Sequence, residues 1–318
     1  MNETTVPATT DTTVTHRSFA ADLLSLTKPR IISLLLVTTI APMYVAGSPS
    51  WSTVLWVVLG GYLMAGGANA VNMYLDGDID HVMERTRLRP IPSGRMSPRS
   101  VIAFGVLIST AATYMLAHFV NVLTASLALA GFYFYVFVYT RWLKRSSPQN
   151  IVIGGAAGAF PPLVGWAAVT GRVELASVYL FLIVFFWTPP HFWALALNKQ
   201  GDYGNAHVPM APLVWGKRET IDQMLWYTIL LLALTVLPVC FGIFGLFYLA
   251  SALLLGGTLL FGVWRVFRER NTEEWARPAW WVFKFSLLYL ALLFVAMVVD
   301  RRCVLSTCAV QSGAGRVA

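Results

Sequence analysis

The sequence predicts an all-α polytopic membrane protein with about nine transmembrane helices, and three observations carry that prediction. Hydrophobic residues make up 57% of the 318 and charged residues only 12%, with a mean hydropathy of +0.64. Soluble domains carry charge on about 25% of their residues, and a chain with half that share cannot shield so much apolar surface from water. The apolar residues also fall in continuous uncharged runs rather than in alternation, which fits helices and not a β-barrel. Finally, the 23 Lys and Arg residues gather on alternate connections between these runs. The high hydropathy excludes intrinsic disorder for most of the chain. The net charge of +8 follows from the placement of the basic loops, so no nucleic-acid partner is implied.

Residues 1–18 are polar and Thr-rich. They lack the apolar stretch of a signal peptide and read as a disordered tail. The membrane domain is expected over 19–300 and a short C-terminal tail over 301–318. Ile31 to Gly47 opens the first span. Trp51 to Leu75 is free of charge throughout, enough to cross a hydrocarbon core of about 30 Å at about 1.5 Å per residue. Ser100 to Thr140 would reach roughly 60 Å as one helix, so it must be a hairpin, with its turn near His118–Asn121. Ser146 to Gly171 and Leu175 to Asn198 supply one span each. Gln223 to Trp264 is a second hairpin turning near Phe241–Gly245, and the last span runs from about Trp280 to Val299.

With the N-terminus inside, Arg17, Lys28 and Arg30 lie on the inner side. So do Arg85, Arg87, Arg89, Arg95 and Arg99, then Arg141, Lys144 and Arg145, then Lys199, Lys217 and Arg218. Arg265, Arg268, Arg270, Arg277 and Lys284 complete that side, leaving only Arg172, Arg301, Arg302 and Arg316 outside. The positive-inside rule then predicts a multi-pass protein of the cell (inner, cytoplasmic) membrane, with its N-terminus cytoplasmic and its C-terminus outside. Cys240 is expected to pack inside a span. Cys303 and Cys308 fall outside, where a disulfide is permitted.

Chemistry is expected at the inner end of span two. Asn72, Asp76 and Asp80 recur every four residues and form one stripe on a helix, while Asp78 points away. Like charges at this spacing destabilise an isolated helix, and a divalent cation would reverse the penalty. Few, hard oxygen ligands open to phosphate suit Mg²⁺. The plainer reading is a solvated acidic loop. Five arginines share that loop, and Arg85 and Arg89 are the candidates for a diphosphate, although topology alone also calls for arginines there. Lys144 and Arg145 after span four are further candidates, or interfacial side chains reaching for water. At the inner end of span six, His191, Asn198 and Asp202 share a face if the helix persists, with Pro189 and Pro190 breaking or bending it just before His191. A histidine there is a packing residue, an acid–base group or a haem ligand. Both stripes reach the same cytoplasmic surface, which points to one shared site.

The row Asn72-x3-Asp76-x3-Asp80 resembles the first aspartate motif of the UbiA-type intramembrane prenyltransferases, and Asp202 falls where their second acidic motif lies. Several stretches resemble the haem-prenylating branch of that family. They are Leu26-Thr-Lys-Pro-Arg-Ile31, Asp80 through Pro90-Ile-Pro-Ser-Gly94, Tyr139-Thr with Leu143-Lys-Arg, and Pro148-Gln-Asn-Ile-Val-Ile-Gly-Gly155. Gly158 to Gly165, Trp187-Thr-Pro-Pro-His-Phe-Trp193, Asp202-Tyr203 and Val208-Pro-Met belong with them, so the likeness covers roughly residues 19–300. Met73 stands where the fuller motif often has a second acid, and Asn198 and Gly201 leave Asp202 without an acidic neighbour.

The resemblance implies nine helices around a central cavity under a cytoplasm-facing polar cap. It implies farnesyl diphosphate and haem B as substrates in the lipid bilayer, Mg²⁺ as cofactor, and haem O plus diphosphate as products. A downstream haem A synthase is the partner implied for terminal-oxidase haem synthesis. In this reading Asn72, Asp76, Asp80, His191 and Asp202 are catalytic. Asp76, Asp80 and Asp202 hold the metal, and Arg85, Arg89, Lys144 and Arg145 take the diphosphate.

Overall fold

The computed structural model describes residues 18–314 apart from residue 273, with side chains placed as far as residue 301. Most of the polar N-terminal tail and the side chains of Cys303 and Cys308 therefore lie outside the described residues. Within them, nine helices are long and apolar enough to cross a membrane. They are Pro29–Ala46, Trp51–Leu75, Pro98–Phe119, Val122–Ser146, Asn150–Thr170, Leu175–Asn198, Lys217–Cys240, Leu246–Arg268 and Ala276–Arg301, the last continuing as helix to Ala314. Each expected run yields its span.

Sequential spans pack side by side, and span nine returns to span one, so the helices close into a ring. Spans one and five, and spans six and nine, also touch across it. Small residues permit the tight crossings, as expected where helices associate by close packing within lipid. A Cβ on Gly165 would overlap the Thr39 carbonyl of span one, and one on Gly67 would overlap the Ser109 hydroxyl of span three.

Both expected hairpin turns are present. Asn121 caps span four by accepting from the Thr124 amide at 2.8 Å, and its side chain donates to the Ala167 carbonyl at 2.9 Å. In the second hairpin Asp300 of span nine accepts from the Gly245 and Tyr248 amides at 2.6 and 3.0 Å, so a carboxylate faces the helix N-terminus.

Three local expectations are corrected. Cys240 does not pack inside span seven: it is the helix's last residue and is exposed. Pro189 and Pro190 do not break span six, which is helical from Leu175 to Asn198. Membrane helices tolerate proline where neighbours satisfy the freed backbone, and here the Thr188 hydroxyl donates to the Val184 carbonyl at 2.9 Å. The same helix stops at Asn198, so the face shared by His191 and Asn198 does not continue to Asp202, which rides on a separate turn, Gln200–Asn205.

Candidate active site

The acidic row survives a break in its helix. Asp76 leaves ideal helical geometry (φ −92°, ψ 10°), yet its amide still donates to the Asn72 carbonyl at 2.9 Å, and the Asp80 amide donates to the Asp76 carbonyl at 2.8 Å. Asn72, Asp76 and Asp80 therefore remain on one line. All three are buried, the two carboxylates to about 1% exposure. Buried carboxylates need partners, and four different segments supply them.

Lys144 of span four donates to Asp76 Oδ2 at 2.5 Å, and Arg89 donates from one nitrogen to both oxygens of Asp80 at 2.8 and 2.6 Å. Asn72 Nδ2 donates to Asp76 Oδ2 at 2.7 Å and to the Thr140 hydroxyl at 3.1 Å. Lys28 donates to Asn72 Oδ1 at 3.2 Å. Asp78 turns outward, as its position on the helix requires. Both its oxygens accept from Arg145 at 2.7 Å, and this hydrogen bonding lowers its pKa to about 2. Arg145 also donates to the Leu75 carbonyl at 2.7 Å, which ties span four to the end of span two.

Two backbone irregularities position these cations. Lys28 lies between the short helix Phe19–Thr27 and span one in the left-handed region, at φ 55°. Non-glycine residues are uncommon there and cluster at functional sites. Burial, followed by the charge of Arg89, lowers the Lys28 pKa from 10.5 to about 7. Residues Phe134–Leu143 of span four form a π-helix, a wide turn often found at functional sites. In that segment the Thr140 hydroxyl donates to the Tyr135 carbonyl at 2.9 Å while accepting from Asn72.

The loop over the site, residues 83–97, is held down. Thr86 is buried and donates to the Asp80 carbonyl at 3.2 Å. Arg95, one of the five loop arginines, grips both oxygens of buried Asp22 at 3.1 and 3.0 Å, so its role is to fasten the loop to the N-terminal helix. Arg87 and Arg99 are exposed. Arg85 reaches the Tyr203 hydroxyl, and Tyr203, whose pKa is raised first by burial, also lies within the fields of Asp202 and Arg89. The turn after span six thereby meets the loop after span two, which brings Asp202 to the same cap.

His191 is buried deeper in the membrane, sandwiched between Trp187 (4.4 Å, 15°) and Phe283 (4.8 Å, 22°). Its Nδ1 lies 2.7 Å from the Ser286 hydroxyl, which itself donates to the Phe283 carbonyl at 2.9 Å. The serine has spent its only proton, so His191 Nδ1–H donates to it and the lone pair rests on Nε2. Among the described residues no protein group is bonded to Nε2. Asn198 donates back to the Ala194 carbonyl at 3.0 Å.

The acidic row also bears on a divalent cation. Asp76 Oδ1 is buried and has no hydrogen-bond donor, the nearest cation being Arg145 at 3.8 Å. Among the described residues no three His, Cys, Asp or Glu side chains converge as a ready cage. One or two carboxylates completed by phosphate oxygens is the usual Mg²⁺ arrangement, and Asp76 with Asp80 fits it. Lys28, Thr140, Tyr203 and Ser286 were not singled out as site residues from sequence. Lys28 and Thr140 lie in the stretches that carry the family resemblance, which was their one available signal.

Residues 34–299 match the UbiA prenyltransferase family. The "Protoheme IX farnesyltransferase" of Roseiflexus castenholzii is 56% identical over 299 residues, covering 93% of this chain and 55% of that one. The protein of the same name from Symbiobacterium thermophilum is 50% identical over 282 residues, covering 88% of this chain and 93% of that one. The chain spans about half the length of the first three curated relatives it matches. Among solved structures, a UbiA homologue from Archaeoglobus fulgidus, bound to DMAPP and Mg²⁺, superposes with a TM-score of 0.63. It is 14% identical, with 87% of this chain and 99% of that one covered.

Proposed function

The chain belongs to the UbiA prenyltransferase family, and from that premise we propose that it transfers the farnesyl group of farnesyl diphosphate to a vinyl group of haem B, giving haem O and diphosphate. The observation that carries the transferase half is the buried row Asn72, Asp76 and Asp80, faced by Lys28, Arg89, Lys144 and Arg145. The acceptor rests on the names of the relatives that are half identical to this chain.

Asp76 and Asp80, with Asp202 from the turn after span six, are the residues that would hold Mg²⁺. When bound there, Mg²⁺ bridges diphosphate oxygens and stabilises the charge that develops on the leaving group. Lys144 and Arg89, now spent on the carboxylates, are the cations available to the diphosphate, together with Lys28, Arg85 and Arg145. Cleavage of the allylic C–O bond leaves a farnesyl cation. The clasp of Arg95 on Asp22 keeps the loop closed over it, which limits capture by water. The terminal vinyl carbon of haem bonds to C1 of the farnesyl cation. The resulting cation beside the macrocycle takes up water and releases one proton.

His191 enters on the acceptor side. Its Nδ1–H is fixed by Ser286, so Nε2 offers a lone pair to the haem iron, the usual second-shell arrangement of a ligating histidine. The basic loops orient the chain with its N-terminus in the cytoplasm and its C-terminus outside the cell membrane. A downstream haem A synthase is the partner that would take the product.

A titration of haem B into the purified protein, followed in the Soret band, tests the acceptor. Saturable binding with a histidine-ligated spectrum, lost in His191→Ala, is expected. An unshifted haem spectrum, with the prenyl group passing to an aromatic acid instead, would overturn this reading.

A further inference from the structure

On the side of span six that faces span seven, two residues beyond His191, lies a cavity that the transfer reaction does not use. It measures about 300 Å³ and is lined by Gln149, Trp193, Trp215, Glu219, Gln223 and Tyr227. On the order of ten waters fill that volume in the liquid. Trp193 is fully buried, and Trp215 and Tyr227 both stand nearly perpendicular to it, at 76° and 89° with centroids 6.0 and 5.4 Å away. The rings form a corner rather than a stack, and a corner can present aromatic surface to one small guest from more than one direction.

The polar groups define what that guest must carry. Glu219, Gln223 and Tyr227 recur every four residues along span seven and so share one stripe. Gln223 Nε2 donates to Glu219 Oε1 at 2.9 Å, which holds the carboxylate in place. Among the described residues no Lys or Arg pairs with Glu219. The indole N–H of Trp193 is buried and has no acceptor. An unpaired carboxylate beside aromatic rings calls for an organic cation, and an orphaned indole N–H calls for an acceptor oxygen. A zwitterion carrying both groups a few bonds apart satisfies the two together. The cavity sits at the end of span seven where that helix leaves the membrane, the level at which Trp and Tyr meet lipid headgroups.

We propose that this cavity binds the headgroup of an ammonium-bearing phospholipid. The ammonium lies against Glu219 and the rings, and a phosphate ester oxygen accepts from the Trp193 indole. A soluble phosphoamine offers the same chemistry, so the test separates the two sources. The full chain is taken from nanodiscs containing equal phosphatidylethanolamine and phosphatidylglycerol, and its retained lipids are read by native mass spectrometry. Retention of one phosphatidylethanolamine in preference to phosphatidylglycerol is expected. Glu219→Gln should weaken that retention about tenfold, the effect of losing one partner of a desolvated cation, and Tyr227→Leu should weaken it similarly without loss of fold. Equal retention of the two lipids, or retention unchanged in both variants, would overturn the proposal. Displacement by millimolar soluble phosphoethanolamine but not by added lipid would also overturn it and assign the cavity to a soluble zwitterion.

Discussion

At the scale of single residues, Lys28 has the sharpest expected behaviour. Its amine points at Asn72 and is faced by Arg89 and Lys144, which lower its pKa, and by Asp80 and Asp76, which raise it; burial prevails and leaves the pKa at about 7. Below pH 7 the amine is already charged when a diphosphate arrives. Above pH 7 binding must also take up a proton, so affinity falls as pH rises, by up to about tenfold per pH unit. The dissociation constant of a non-hydrolysable farnesyl diphosphate analogue should therefore rise between pH 7 and 9, and the slope should vanish in Lys28→Arg. A flat profile in the parent chain would contradict this. The row Asn72, Asp76 and Asp80 was legible in the sequence because helical periodicity alone aligns residues four apart. The pairing of Lys28 with Asn72 was not, because it depends on a left-handed backbone residue that no spacing encodes. Ser286 was equally hidden, since only the contact of spans six and nine brings it to His191.

At the scale of elements, the π-helical stretch Phe134–Leu143 sets the direction in which span four presents Lys144. One extra residue per turn shifts everything after it by about 100° around the helix. Deleting Phe137, which is exposed to the membrane side, should restore an α-helix and swing Lys144 and Arg145 away from Asp76 and Asp78. The variant should remain folded by circular dichroism and lose transfer by about a hundredfold or more, the cost of misplacing a group that positions the substrate. Activity within a few-fold of the parent would contradict this. Sequence reading located span four from its lack of charge but saw no π-helix, because hydrophobic runs report length and not turn width. It also expected two adjacent prolines to break or bend span six. The helix continues through them, with the Thr188 hydroxyl bonded to the Val184 carbonyl beside them.

At the scale of the whole molecule, nine spans were legible because uncharged length is a one-dimensional property that the bilayer converts directly into helices. The closing of those helices into a ring, and the meeting of the loop after span two with the turn after span six, depend on packing that composition does not carry. The proposed orientation has a direct check in a chain whose native cysteines are replaced by serine. In intact cells a membrane-impermeant maleimide should label Val173→Cys and leave Leu88→Cys unlabelled until the membrane is opened; the reverse pattern would invert the topology. The central claim is tested most directly by reconstitution. Purified protein in liposomes is given haem B, farnesyl diphosphate and Mg²⁺, and the haems are separated and weighed. A more apolar haem, heavier by a farnesyl group plus water, is predicted, absent with EDTA and absent in Asp76→Ala. Unchanged haem from folded protein with both substrates bound would contradict it.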